Sequence, residues 1–237
     1  MQIFKVLSVL LNYPEAEMLL VLDEMLAIIE QENMLNGADK QTLSVLLNSF
    51  RHTDLLESQE NYVALFDRGR FLSLHIFEHV HGESRERGQA MVNLLQLYET
   101  HGFEINTQEL PDFIPLFLEF LSQLNIDEAK SLLQDAMPVL ALLGARLDER
   151  GSHYAAIFHA LSNSVGKPED LEQIRQQVSI EGEDETLVNL DAIWEEEMVS
   201  FMASSTRCQT PSSEINPITI LPREQIIASS STKGVSL

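Results

Sequence analysis

Residues 65–91 read LFDRGRFLSLHIFEHVHGESRERGQAM. Three histidines fall within seven positions here, and Arg68, Arg70, Arg85 and Arg87 supply four of the chain's 15 basic residues. The stretch contains His75-x-x-Glu78-His79, the spelling of an inverted zinc-peptidase motif. On a helix, residues four apart share a face, so His75 and His79 could hold a zinc ion together. Glu78 would then be the general base on a zinc-bound water, with His81 as a further nitrogen. Against this, three fixed positions out of five form a loose pattern in a chain with seven histidines. A catalytic zinc also needs a third protein ligand. Gly82 disrupts the helix just past the pair. The apolar neighbours Ile76, Phe77 and Val80 suit a buried turn, where a histidine more commonly serves as a hydrogen-bonded core residue.

The arginines support a different reading of the same stretch. They bracket Glu78, Glu83 and Glu86 in a chain otherwise poor in positive charge. Arginine forks pair bidentately with carboxylates. Such a cluster either ties two helices together as a salt-bridge lattice or faces a groove, where it holds a peptide backbone or an anionic group.

Working outward, apolar residues recur at helical spacing almost throughout. Ile3, Val6, Leu7 and Leu10 form a first stripe that ends before Tyr13-Pro14. Pro14 suits the first turn of a second helix, with Met18, Leu22, Met25 and Ile29 along one face. Leu43, Leu46, Leu47 and Phe50 mark a third helix; Tyr62, Leu65 and Phe66 mark a short fourth. Beyond the quoted stretch, Met91, Leu94, Leu95 and Tyr98 give a stripe that Gly102 stops. In ELPDFIPLFLEFLSQL, Asp112 as N-cap puts Pro115 at the third helical position, with Ile114, Phe117, Leu118 and Leu121 lining one face. Leu133, Met137, Leu140, Leu143 and Leu147 continue the period. Pro138 predicts a kink there, or two abutting helices. Ser152 caps a helix carrying Tyr154, Ile157, Phe158 and Leu161, closed by Gly166 and Pro168. Thr186 begins the last strong pattern, through Leu187, Leu190, Ile193, Trp194, Met198 and Phe201.

Convincing strands are absent. The fold class is all-α: a single-domain bundle of about eight to ten helices over residues 1–202. The Ser/Thr/Pro-rich segment 203–237 has too little apolar surface to offset ordering entropy and reads as a flexible tail. A chain of 237 residues that is 44% hydrophobic can bury one substantial core.

The formal net charge is −22, from 15 basic and 37 acidic residues. That surface repels nucleic-acid phosphates and anionic lipid head groups, and attracts basic segments in a salt-dependent way. Eight of the acidic residues fall between 181 and 197, around the apolar face ending in Trp194 and Phe201. This run is either a solvated helix face or a receptor for a basic amphipathic segment. Cys208 is the only cysteine, so no internal disulfide can form. No apolar run approaches the roughly 20 residues needed to cross a bilayer, and the N-terminus reads as a first helix, not a secretion signal. A cytoplasmic protein is expected. Sequences for a nucleophile elbow, a phosphate loop and a dinucleotide fingerprint are all missing.

FDRGR, FEHVHGESRERGQAM, ELPDFIPLFLEFL and WEEE, in that order, closely resemble the assembly chaperones of respiratory nitrate reductase, the NarJ type. These belong to a wider all-helical group of chaperones for molybdoenzymes. The resemblance runs from about residue 2 to 202. It implies a dedicated chaperone and not an enzyme. Its partner would be the N-terminal peptide of the nitrate reductase catalytic (alpha) subunit. The chaperone would hold that client while bis-molybdopterin guanine dinucleotide and iron–sulfur clusters are installed, and delay its docking to the membrane subunit, with no cofactor of its own.

At the motif itself the family pattern is FEHVHGES, with His75 just outside it, so on this resemblance the metal motif becomes an accident of one histidine. Arg68, Arg70, Glu78, His79, His81, Glu83, Arg85, Arg87, Pro111 and Asp112 are then the candidate client-peptide contacts, with several expected to be structural. One departure stands out: Phe113 replaces a histidine common after Pro-Asp in the wider group. The Asp112 carboxylate is expected to cap its own helix. A zinc metallopeptidase and a helical interaction protein with another client are the alternatives.

Overall fold

The computed structural model describes residues 1–82, 84–105, 109–166, 168 and 171–182, all within one compact unit. Eleven helices cover most of them: α1 (Gln2–Leu11), α2 (Ala16–Leu20), α3 (Leu22–Gln31), α4 (Gly37–His52), α5 (Leu55–Phe66), α6 (Ile76–His81), α7 (Arg85–Thr100), α8 (Ile114–Gln123), α9 (Ile126–Glu149), α10 (Ala155–Val165) and α11 (Leu171–Ile180). The only extended pairing among the described residues is a single antiparallel bridge, His75 to Phe113. The all-α class expected from the period of the apolar residues is what the chain adopts.

Two helix pairs form the frame. The first is α1 against α8. Ile3, Phe4, Val6, Leu7, Leu10 and Leu11 are buried on one, and every residue from Ile114 to Leu118 on the other. Ser8 Oγ donates to the Pro115 carbonyl at 2.7 Å inside this contact. The second is α9 against α10, which meet tightly at Gly144. A Cβ at that position would stand 3.0 Å from the Phe158 Cβ, so only a hydrogen fits comfortably there. Burial of these apolar faces is the main stabilising term.

Several local expectations are corrected. The face Met18, Leu22, Met25, Ile29 is buried as its spacing requires, but the helix is interrupted at Val21 (φ −110°, ψ 9°). Pro14 lies before α2 rather than in its first turn, and its carbonyl accepts from Gln59 Nε2 at 2.8 Å. Pro138 sits inside one continuous 24-residue helix, α9. Met137, Val139 and Leu140 are buried around it, and that packing outweighs the hydrogen bond the proline cannot donate. Ser152 is not the cap of α10, whose N-cap is Tyr154 with no side-chain cap bond; its hydroxyl accepts from the Tyr154 N–H at 3.3 Å in the turn before the helix, and Gly166 closes that helix at φ 102°. Helix α11 went unread because only Val178 on it is fully buried. The pattern from Thr186 to Phe201, the boundary near residue 202 and Cys208 lie outside the described residues.

Gly144→Val places two methyl groups against Phe158. It is expected to destabilise the protein by about 1–3 kcal/mol, the usual range for overpacking, read as a lowered midpoint in thermal denaturation.

Candidate functional site

The block read from the sequence is organised around one buried carboxylate. Asp112 is 0% exposed. Its Oδ2 accepts from the Phe77 N–H at 3.0 Å, and its Oδ1 lies 3.1 Å from His75 Nδ1. Its backbone carbonyl accepts from the Ile76 N–H at 3.0 Å, and the Leu74 carbonyl accepts from the Ile114 N–H at 2.8 Å. Asp112 is therefore a cap, but of α6; α8 begins with Phe113 as N-cap and no side-chain cap bond. This corrects the expectation that Asp112 caps its own helix. Phe77 is the second residue of α6, one of the donors that a helix leaves unsatisfied. The carboxylate from a distant segment satisfies it and pins α6 to the start of α8.

The expected helical pairing of His75 with His79 does not occur. His75 precedes α6 in extended conformation (φ −100°, ψ 112°) and packs its ring against Phe113, centroids 5.4 Å apart. Its Nδ1 faces Asp112, whereas His79 Nε2 donates to the Ser73 carbonyl at 2.8 Å. Among the described residues no three His, Cys, Asp or Glu side chains are grouped to hold a metal ion. Both histidines are hydrogen-bonded braces.

The rest of the block divides into brace and surface. Arg87, on α7, donates to Glu78 Oε1 at 3.0 Å and so ties α7 to α6. Burial by itself would raise the Glu78 carboxyl, but hydrogen bonds from Ser73 and Arg87 outweigh it and hold it below its usual range. His81 Nδ1 stands 3.8 Å from the exposed Glu86. The Pro111 carbonyl accepts from the Tyr98 hydroxyl at 2.8 Å, which anchors α7 from its other end. Arg68, Arg70 and Arg85 are exposed, and Glu83 lies outside the described residues. Helix α6 ends at Gly82, whose φ of 54° and ψ of −128° suit glycine alone.

Sequence reasoning missed Arg146. It is 8% exposed on α9, donates from Nε and one terminal nitrogen to both Glu181 oxygens at 2.8 Å, and from the other to the Phe71 carbonyl at 2.7 Å. Its guanidinium also lies 4.6 Å over the Phe71 ring. The loop leading into α6 is thus fixed from below by an arginine 75 residues away. Nothing in its neighbourhood, GARLDER, distinguishes it from a solvated helix residue.

A separate cleft runs along α4. One cavity, about 420 Å³, lies between α4 and α10 and includes Asp39, Asp148, His153 and His159. A second, about 480 Å³, lies between α4, α5 and the turn after α9, and includes Phe50, Leu65, Arg150 and Tyr154. Ser152 and His153 line both, making them neighbours. None of the ten candidate client-contact residues lines either one.

The two braced histidines should respond to pH in opposite senses. The Asp112 hydrogen bond raises the His75 pKa against the opposing effect of burial. Its contribution is complete below the unfolded value of about 6.5 and fades as pH rises through the folded value. Burial lowers the His79 pKa, only partly offset by the Ser73 carbonyl. Its contribution is complete above about 6.5 and fades as pH falls. The loss of thermal stability in His75→Gln should therefore be larger at acidic pH than at mildly basic pH, and that in His79→Gln the reverse. Parallel thermal melts of the two variants at both pH values check this.

Over residues 31–160 the chain matches the nitrate reductase delta subunit family. It is similar to the nitrate reductase molybdenum cofactor assembly chaperone NarJ of Escherichia coli (strain K12), with 46% identity over 198 residues, covering 84% of each chain. The probable nitrate reductase molybdenum cofactor assembly chaperone NarW of the same strain is 42% identical over 211 residues, covering 89% of this chain and 88% of that one. A probable NarJ chaperone of Bacillus subtilis (strain 168) is 32% identical over 182 residues, covering 76% and 93%. These relatives are named as assembly chaperones, not as enzymes. The matched span includes the Asp112-centred block and every residue that lines the α4 cleft except Asn163. The chain belongs to the nitrate reductase delta subunit family, within its NarJ-type assembly chaperones.

Proposed function

We propose that this chain is a cytoplasmic assembly chaperone that binds the N-terminal segment of an immature nitrate reductase catalytic subunit. It holds the client while bis-molybdopterin guanine dinucleotide and iron–sulfur clusters are inserted, and before the enzyme docks to its membrane subunit. The observation that carries this reading is the 46% identity to NarJ of Escherichia coli across 84% of both chains.

The physical properties of the chain agree with it. No helix among the described residues is long and apolar enough to cross a membrane. A net charge of −22 steers basic polypeptide segments toward the surface and discourages nucleic acid. An all-helical frame offers clefts between helices, where an amphipathic peptide buries its apolar side. Within the block, Arg68, Arg70, His81, Glu83 and Arg85 are proposed as the client-facing residues. Glu78, His79, Arg87, Pro111 and Asp112 hold the surface in shape from behind.

Calorimetric titration of the full chain with a peptide matching the first roughly 20 residues of the client subunit tests the proposal. One-to-one binding at micromolar affinity or better, weakened by added salt, is the expected result. No binding at either of two salt concentrations would remove the client assignment. Arg87→Ala leaves Glu78 without its arginine partner, and should lower thermal stability by about 1 kcal/mol and peptide affinity in parallel. Lost affinity with an unchanged melting point would instead make Arg87 a direct contact.

A further inference from the structure

Asp39 presents a problem of hydrogen bonding that the described residues do not solve. It lies in the first turn of α4 and is 3% exposed. Its Oδ1 accepts from Asn163 Nδ2 on α10 at 2.8 Å, while its Oδ2 is buried with no hydrogen-bond partner. The only other buried side-chain atom in that condition among the described residues is the Tyr154 hydroxyl. These two residues line the two neighbouring cavities of the α4 cleft, one each. Buried polar groups are nearly always partnered, and two orphans in adjoining cavities mark a place where donors are meant to arrive from outside.

The cleft wall indicates what arrives. Around Asp39 the cavity holds a second carboxylate, Asp148, and among the described residues neither lysine nor arginine lines it. Asp148 is already bonded by His159 Nε2, at 2.9 and 3.0 Å, so Asp39 is the under-satisfied acceptor. Val45, 46% exposed, stands on the wall, and Phe50 and Leu65 add apolar surface further along α4. From Ala38 to Thr53 the cleft follows about 22 Å of helix, long enough for several residues of a bound polypeptide.

We propose that the α4 cleft is a docking site for a basic amphipathic polypeptide segment, with Asp39 receiving an arginine or lysine side chain at one end and the Val45–Phe50 wall covering apolar residues beside it. This rests on the reading of the chain as a client-binding chaperone and gives that reading a second address, lined by none of the ten candidate contacts of the block.

The test uses the full chain, two peptides and three variants. One peptide matches the client N-terminus; the other is an unrelated basic amphipathic peptide, and each is also made with its basic residues replaced by norleucine. Val45→Arg puts bulk and positive charge into the cleft from an exposed position. Val92→Arg, at a 47% exposed site on α7, is the control. Asp39→Asn removes the charge and keeps the shape. At least tenfold weaker client binding in Val45→Arg, unchanged binding in Val92→Arg, and a reduced preference of Asp39→Asn for the basic over the norleucine peptide are expected. Should Asp39→Asn fail to fold, the Val45→Arg comparison decides. Client binding that Val45→Arg leaves untouched overturns the cleft and spares the client assignment. If wild type ignores the client peptide, the client assignment fails and the unrelated peptide decides the cleft: binding that Val45→Arg abolishes supports it, and no binding, or binding indifferent to Val45→Arg, overturns it.

Discussion

A carboxylate with no access to water organises the most distinctive part of this molecule. Asp112 is tolerable in that position because a backbone N–H from α6 and an imidazole nitrogen both point at it. Burying a charge without such partners would cost several kcal/mol. The constraint works in both directions. Helix α6 has only six residues, too few to persist by itself, and gains its N-terminal cap from a segment 35 residues further on. The start of α8 is positioned by the same contact, and α8 carries the face that packs on α1. Local order at the block and packing of the frame are therefore one problem with one solution.

Positive charge is scarce here, and the places where it is spent are informative. Arg146 is committed to Glu181 and the Phe71 carbonyl, and Arg87 to Glu78. Both hold loops and helices around α6. The outer arginines of the block remain on the surface, while the α4 cleft has carboxylates at one end and Arg150 at the other. The acidic surface is thus patterned, with a braced basic ridge at the block and an acidic pocket on the side of α4 facing α10.

The fold was legible because most helices here bury one face against a common core, and that imposes a 3.6-residue period on the sequence. The stripes of α1, α4 and α8 could be assigned from spacing alone. Val21 was not legible, since the buried face continues straight across the break. At Pro138 the spacing allowed two abutting helices where one continuous helix forms, because the surrounding packing outweighs a local rule. Within the block, residue types announced a polar cluster, but partners could not be assigned. The acceptor for α6 is 35 residues away, and Arg146 reaches the block from α9. Asp39 gave no signal at all, because an acidic residue in a first helical turn is the most ordinary of placements.

Helix α7 has 16 residues, yet only Tyr98 is fully buried, and it packs on the short α6. Its apolar residues Met91, Leu94, Leu95 and Leu97 are half-covered. Releasing it exposes one buried aromatic side chain and the rest of these half-covered ones, whereas releasing α8 or α9 opens the core. Its backbone amides should therefore exchange with solvent through a partial opening, well before those of the frame. The Arg87–Glu78 pair, which joins the first turn of α7 to α6, is one of the ties such an opening would break.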